Sequence, residues 1–266
     1  AVAGQVLRDH GPWLTAVTLD QLIGLVCRLQ DACAVKTESL PVSPVNFEAS
    51  PCARVSKETA AGLRSLMFGS GKGTSLPQEW WQGWCFEDDA QSTCPYGLRQ
   101  FEGGPCGVVA VVQAFLLRSL WMASSHPQSA EDEQCQDALL DALTDVLFQC
   151  APRGKSVSVL IPPAVGGTYT AEAQERVLST AQDCCMLEFS DWKLLRLAWE
   201  VPPLSTAYID TVNDRTIGVV LFLYSALLTR GLDTVRLDVD LPTEAAMVGA
   251  HGYCTQEAVN LLLTGV

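Results

Sequence analysis

Apolar positions recur with a helical period at the start of the chain, where Val17, Leu22, Ile23, Val26, Leu29 and Ala34 mark an amphipathic helix over Ala16 to Ala34. The period then fades. From Val35 to Ala53, Pro41, Pro44 and Pro51 stand among serines and read as a linker. Ser56 is placed to cap a helix from Lys57 to Phe68, and the main domain is expected to begin there. Trp80 to Phe86 is short and aromatic-rich, which predicts a strand or extended segment. The apolar run Val108 to Leu117 predicts a buried helix, after which His126-Pro127 breaks the chain. The acids Glu131 to Glu133 open a further helix to about Cys150, because negative charge complements the positive end of a helix.

Ser156 to Ile161 is a β-branched run ending at Pro162-Pro163 and predicts a strand. Ala171 to Cys184 reads as a helix, and Leu194 to Val201 as a second strand closed by Pro202. Asp214 is positioned to cap the apolar helix Ile217 to Leu228, with Gly231 ending it, and Thr255 to cap a last helix over Ala258 to Leu263. No internal repeat is visible. Together these elements predict a helix-rich α+β domain, with residues 1–55 forming an N-terminal helix and linker and residues 56–266 the main domain.

Composition narrows the chemistry. With 17 basic against 30 acidic residues the formal net charge is −13, so there is no basic field to neutralise phosphates. Nucleic acid and membrane surfaces are therefore not expected partners. The apolar runs Val108 to Leu117 and Ile217 to Leu228 are short for a bilayer crossing and read as core helices. Eleven cysteines in 266 residues show no repeating spacing and no Cys-x-x-Cys. They read as reduced thiols of an intracellular protein, cytoplasmic and/or nuclear, with no metal site and no cofactor expected. The glycine-rich stretch Gly69 to Leu76 is not a phosphate loop, because Gly73 follows Lys72 where the motif needs Ser or Thr.

One octapeptide carries chemistry: Gln100-Phe101-Glu102-Gly103-Gly104-Pro105-Cys106-Gly107, directly before the apolar helix. The glycines permit a sharp positive-φ entry, Pro105 suits the first helical position, and Cys106 falls in the first turn. Unpaired amide N–H groups and the helix macrodipole favour a thiolate there. Gln100 lies six residues earlier, where its amide and the Cys106 N–H could together donate to a developing oxyanion. Cysteines beside apolar runs are also commonly inert packing, and the octapeptide alone leaves both readings open. A cysteine nucleophile needs an imidazole. Of the three histidines, His10 and His126 lie in unpatterned or breaker-rich segments, and His251 is the one candidate, with a solvated loop residue as its alternative.

Several separated blocks resemble the MINDY deubiquitinases, cysteine isopeptidases that trim polyubiquitin of the proteasome-targeting linkage. Leu66-Met67-Phe68-Gly69-Ser70 resembles the opening motif of that family, and Trp81 to Phe86 its Gln-Gly-aromatic strand. Gln100 to Gly107 with Val112 to Leu117 resembles the nucleophile helix, and Gly218 to Gly231 and His251 to Gly265 two later blocks in the same order. The phrase Gln-Phe-Glu-Gly-Gly-Pro-Cys points to the branch of the family that carries it.

The resemblance implies an α+β, helix-rich cysteine-protease fold, distantly papain-like, with its nucleophile at the N-terminus of a buried central helix. It makes Cys106 the nucleophile and Gln100 the oxyanion-hole side chain, with ubiquitin and polyubiquitin chains as partners. In that family the catalytic histidine follows the Leu-Leu-Leu-Thr-Gly block, in a Ser/Thr-His-Phe/Leu context. The sequence given stops at that block, and His251 does not match the position. The expectation is a partial sequence, truncated before the histidine strand, with little turnover of its own but with Cys106 still open to an electrophile. Two other classes stand beside it: a non-catalytic ubiquitin-binding scaffold, and a hydrolase or acyltransferase acting on another amide.

Overall fold

The computed structural model describes residues 53–69, 78–87, 94, 96–123, 130–162, 177, 181, 184–211, 216–239 and 246–266. The expected helix over Ala16 to Ala34, most of the linker, most of the 69–76 stretch, nearly all of the 171–184 helix, His10, His126 and Asp214 lie outside these residues.

Three short strands form an antiparallel sheet in the order β1 (Ala53–Arg54), β3 (Cys185–Phe189), β2 (Val157–Ile161). Every residue of β2 is buried, and its outer edge is closed by a helix rather than by another strand. Helix α6 (Gly218–Arg230) is apolar nearly all round but carries Ser225 and Thr229 one turn apart. Their hydroxyls accept the Leu160 N–H at 3.0 Å and the Ser158 N–H at 2.9 Å. Tyr208 donates to the Leu160 carbonyl at 2.8 Å. Ladder groups that would cost free energy if buried unpaired are thus satisfied by side chains.

Against this unit lies a helical layer. Helix α1 (Lys57–Phe68) is capped by Ser56, whose hydroxyl accepts the Thr59 N–H at 3.0 Å, as the sequence predicts. Helix α2 (Cys106–Ala123) packs on α3 (Asp132–Cys150), which opens with a capping box between Glu131 and Gln134. The short helices α4 (Trp192–Ala198), α5 (Leu204–Tyr208) and α7 (Leu232–Asp238) fill the flanks, and α8 (Gln256–Thr264) lies across α2 and α3. At 18 residues, α2 is longer than the run read from sequence and reaches membrane-spanning length and composition. Its Val108, Val112, Leu116 and Leu120 are nonetheless buried in the protein core.

Two readings change, at Leu194 to Val201 and at Thr255; strand β3 is not read from the sequence at all, and one extended segment is refined. Leu194 to Val201 is not a strand: Asp191 accepts the Lys193 and Leu194 N–H groups at 2.8 and 3.1 Å and starts α4 there, with Leu195 and Ala198 buried three residues apart. Strand β3, unmarked by β-branched residues, takes the third place in the sheet. Trp80 to Phe86 begins as a 3-10 turn, Gln78–Trp80, and continues extended, with Trp84 and Phe86 each in a single bridge. Thr255 occupies the N-cap position of α8 without a capping bond; its hydroxyl instead donates to the Ala246 carbonyl at 2.7 Å.

Candidate active site

The chain enters α2 along a segment fastened at both ends. Residues 97–99 run beside 85–87, with the Arg99 N–H on the Cys85 carbonyl at 2.9 Å and the Glu87 N–H on the Gly97 carbonyl at 2.8 Å. Gln113, one turn and a half into the apolar part of α2, reaches back to this segment. Its Oε1 accepts the Leu98 N–H at 2.6 Å and its Nε2 donates to the Tyr96 carbonyl at 3.1 Å. Farther along, Gln82 is buried and its Oε1 accepts the Phe101 N–H at 3.3 Å, while the Arg99 guanidinium lies 4.5 Å over the Phe101 ring. Gly104 has φ +122, and a Cβ there would stand 3.0 Å from the Trp80 indole nitrogen. Only glycine meets both demands.

Cys106 is the first residue of α2 and is exposed. Pro105 sits one position earlier than the sequence reading placed it, its carbonyl accepting the Val109 N–H at 3.0 Å. The Cys106 thiol donates weakly to the Gly104 carbonyl at 3.9 Å. Gln100 is half-buried on the same loop, and its Nε2 donates to the Glu102 carbonyl at 2.6 Å. One of its two amide protons is thereby committed to the loop itself, leaving the other for a ligand.

The contact that the sequence did not announce comes from residues 246–255. Met247 and Val248 donate to the Leu66 and Met67 carbonyls at the end of α1, at 2.8 and 2.9 Å. Val248 and Cys254 pair across a tight turn, and the turn docks on the α2 entry loop. Trp80 Nε1 donates to the Gly252 carbonyl at 2.6 Å, and the Cys254 N–H donates to the Gly104 carbonyl at 2.9 Å. The Cys254 Sγ accepts the Gly107 N–H at 3.2 Å. Burial pushes the Cys254 thiol up, the Gly107 N–H pulls it back, and the neighbouring Cys106 thiol pushes it up again; the net direction is upward. His251 is exposed on this same turn. The structure therefore brings the His251 turn against the Cys106 loop without a hydrogen bond from the imidazole to any described residue.

Among the described residues, no three His, Cys, Asp or Glu side chains gather at metal-binding spacing. The assembled chemistry is an exposed thiol at a helix start, a half-buried thiol beside it, helix-end amides and one glutamine amide. That set can attack an electrophilic carbon and hold an oxyanion.

Comparison with known proteins places the chain within a family. Residues 64–266 match the family model "Deubiquitinating enzyme MINDY-3/4, conserved domain". The chain is 31% identical over 230 residues to human "Ubiquitin carboxyl-terminal hydrolase MINDY-3", covering 78% of this chain and 51% of that protein. It is 33% identical over 218 residues to human "Probable ubiquitin carboxyl-terminal hydrolase MINDY-4", covering 77% of this chain and 27% of that protein. Mouse MINDY-3 is 30% identical over 230 residues, covering 78% and 50%. The chain thus spans about half the length of the MINDY-3 relatives and about a quarter of human MINDY-4. No solved structure matches.

Proposed function

Because the chain belongs to the MINDY-3/4 deubiquitinating-enzyme family, we propose that it carries the nucleophilic part of a cysteine isopeptidase acting on polyubiquitin, of the proteasome-targeting linkage, in an intracellular setting. Cys106 attacks the isopeptide carbonyl at the ubiquitin C-terminus. The C–N bond breaks as the lysine amine takes a proton, a thioester remains on Cys106, and water releases the carboxylate. The oxyanion of each tetrahedral intermediate is held by the Cys106 N–H and by the second amide proton of Gln100.

The observation that supports this reading best is the position of Cys106: exposed, at the first residue of a core helix, at the end of a loop pinned by Gln82 and Gln113. The test is covalent. Ubiquitin carrying a C-terminal electrophile should form one adduct, which peptide mapping locates at Cys106 and which Cys106→Ala abolishes. An adduct on another cysteine, or one that survives the substitution, removes the assignment. A non-catalytic ubiquitin-binding scaffold is the second reading, favoured by the turn of the Gln100 amide toward Glu102. Under it, Cys106→Ala binds polyubiquitin as the parent does and neither protein cleaves it.

A further inference from the structure

We propose that Cys106 and Cys254 form a reversible, peroxide-sensitive dithiol, in which Cys106 is the sulfur that meets the oxidant and Cys254 the thiol that resolves it. The inference goes beyond the isopeptidase reading, since it needs the pair of sulfurs and no substrate. Three features carry it. Cys106 is exposed, whereas Cys254 is half-buried behind it, so an oxidant in solvent reaches Cys106 first. Both residues converge on one carbonyl, that of Gly104, which accepts the Cys254 N–H at 2.9 Å and faces the Cys106 thiol at 3.9 Å. Finally, Gly107 makes the approach possible: a Cβ there would stand 2.5 Å from the Cys254 sulfur and 2.6 Å from Val259 Cγ2.

The Cys254 sulfur lies 3.2 Å from the backbone nitrogen of Gly107, the residue next to Cys106. The resolving step goes through the Cys254 thiolate, which forms as its proton passes to the departing oxygen. Sulfur of Cys106 attacks hydrogen peroxide, an S–O bond forms as the O–O bond breaks, and one water departs, leaving a sulfenic acid. Sulfur of Cys254 then attacks the Cys106 sulfur. The S–O bond breaks, the hydroxide leaves as a second water with the Cys254 proton, and an S–S bond remains. Two thiols are oxidised by two electrons in total, one peroxide is reduced to two waters, and an external dithiol reverses the bond by exchange. The disulfide would silence Cys106 while protecting it from irreversible oxidation.

The experiment uses the whole chain, treated with hydrogen peroxide, alkylated, digested without reductant and mapped by mass spectrometry. A peptide joining Cys106 to Cys254, lost on adding dithiothreitol, is expected from the parent. In Cys254→Ser, Cys106 should instead reach sulfinic or sulfonic acid, with recovery of its alkylatable thiol by dithiothreitol falling about threefold or more. Pairing of Cys106 with Cys94, absence of any Cys106–Cys254 peptide, or full recovery in Cys254→Ser overturns the proposal. The parent peptide map decides the matter even if the variant does not fold. A chain that forms this disulfide yet ignores the ubiquitin electrophile retires the isopeptidase reading alone, and the converse retires the dithiol alone.

Discussion

Helix α8 meets a cysteine at each of its ends, and the two are held in opposite ways. Beside its start, Cys254 accepts a backbone N–H from the first turn of α2 at 3.2 Å, next to the exposed Cys106. Near its end, Cys150 at the close of α3 is buried and donates its proton to the Leu261 carbonyl at 3.4 Å. Helix N-termini present donors and helix C-termini present acceptors. The same side chain is therefore an acceptor at one pole and a donor at the other, and only the first pole lies beside an exposed sulfur. Desolvation pushes the Cys150 thiol up to about 12, which makes it a packing group. The comparison separates cysteines that can do chemistry from cysteines that fill space by what their helix end offers, as sequence alone did not.

The largest expected effect tests the reactive pole. Cys106→Ala should lower the rate of ubiquitin-electrophile labelling by about a thousandfold or more, since it removes the exposed sulfur at the helix start. Cys150→Ala should leave that rate unchanged within about twofold. Labelling kinetics of the two variants, read side by side, would erase the contrast if they fell together.

The next effect belongs to the inert pole and is read through pH. The folded-state thiol of Cys150 sits above its ordinary value of 9.0, at about 12, so folding retains a proton that the unfolded chain gives up above pH 9. Its stabilising contribution is fully present below pH 9 and is lost as the pH rises toward 12, by about 1.4 kcal/mol per pH unit and about 4 kcal/mol in total. Urea denaturation of the parent and of Cys150→Ala at several pH values between 8 and 11 should show their stability difference shrinking as the pH rises. A constant difference would show that the thiol gains no charge on unfolding.

Much of the scaffold around these poles was legible. Ser56, the acids before α3, the apolar length of α6 and Gly231 each mark an element boundary by local chemistry that needs no distant partner. Cys106 at a helix start follows from Gly-Gly-Pro-Cys in the same way. What failed was chemistry whose partner lies far along the chain. The Cys254–Gly107 hydrogen bond spans 147 residues, and nothing near Cys254 announces it. Thr255 carries a capping residue type, yet its hydroxyl is drawn to Ala246 by the hairpin. The misread strand at Leu194 is different, because its signal was local: Asp191 stands three residues before Leu194 as a cap, and Arg196 pairs with Glu200 at helical spacing, 2.5 Å apart. Two further acids, Asp141 at 2.7 Å and Asp137 at 2.6 Å, tie the same Arg196 to α3. Burial opposes its charge, but Glu200 and Asp141 outweigh that and hold the guanidinium above its ordinary range.

A smaller effect sharpens the comparison at the reactive pole. Gly107→Ala adds a Cβ 2.5 Å from the Cys254 sulfur and 2.6 Å from Val259. Overpacking of that kind costs about 1–3 kcal/mol, partly offset by the better helix propensity of alanine, worth up to about 1 kcal/mol. A net loss of about 1–2 kcal/mol in thermal or chemical denaturation is expected, with Cys254 alkylated faster than in the parent because α8 is pushed away from α2. Unchanged stability and unchanged Cys254 alkylation would show that the two helices do not meet as described.

The smallest effect lies at the opposite pole. Gln149, beside Cys150, sends its Nε2 to the Leu263 carbonyl at 2.5 Å and to the Leu262 carbonyl at 3.4 Å, serving acceptors that α8 leaves open at its C-terminus. Gly265 ends that helix in a left-handed turn with φ +81, where a side chain would also run into the Gln149 carbonyl. Removing the amide in Gln149→Ala should cost about 1 kcal/mol, because the carbonyls lie near enough to the surface for water to replace part of what is lost. The change should be visible as faster hydrogen exchange confined to the last turn of α8, with Cys106 labelling untouched. If labelling at Cys106 fell as well, the two ends of α8 would be mechanically coupled, and the separation between an inert and a reactive pole would have to be replaced by a single lever acting along that helix.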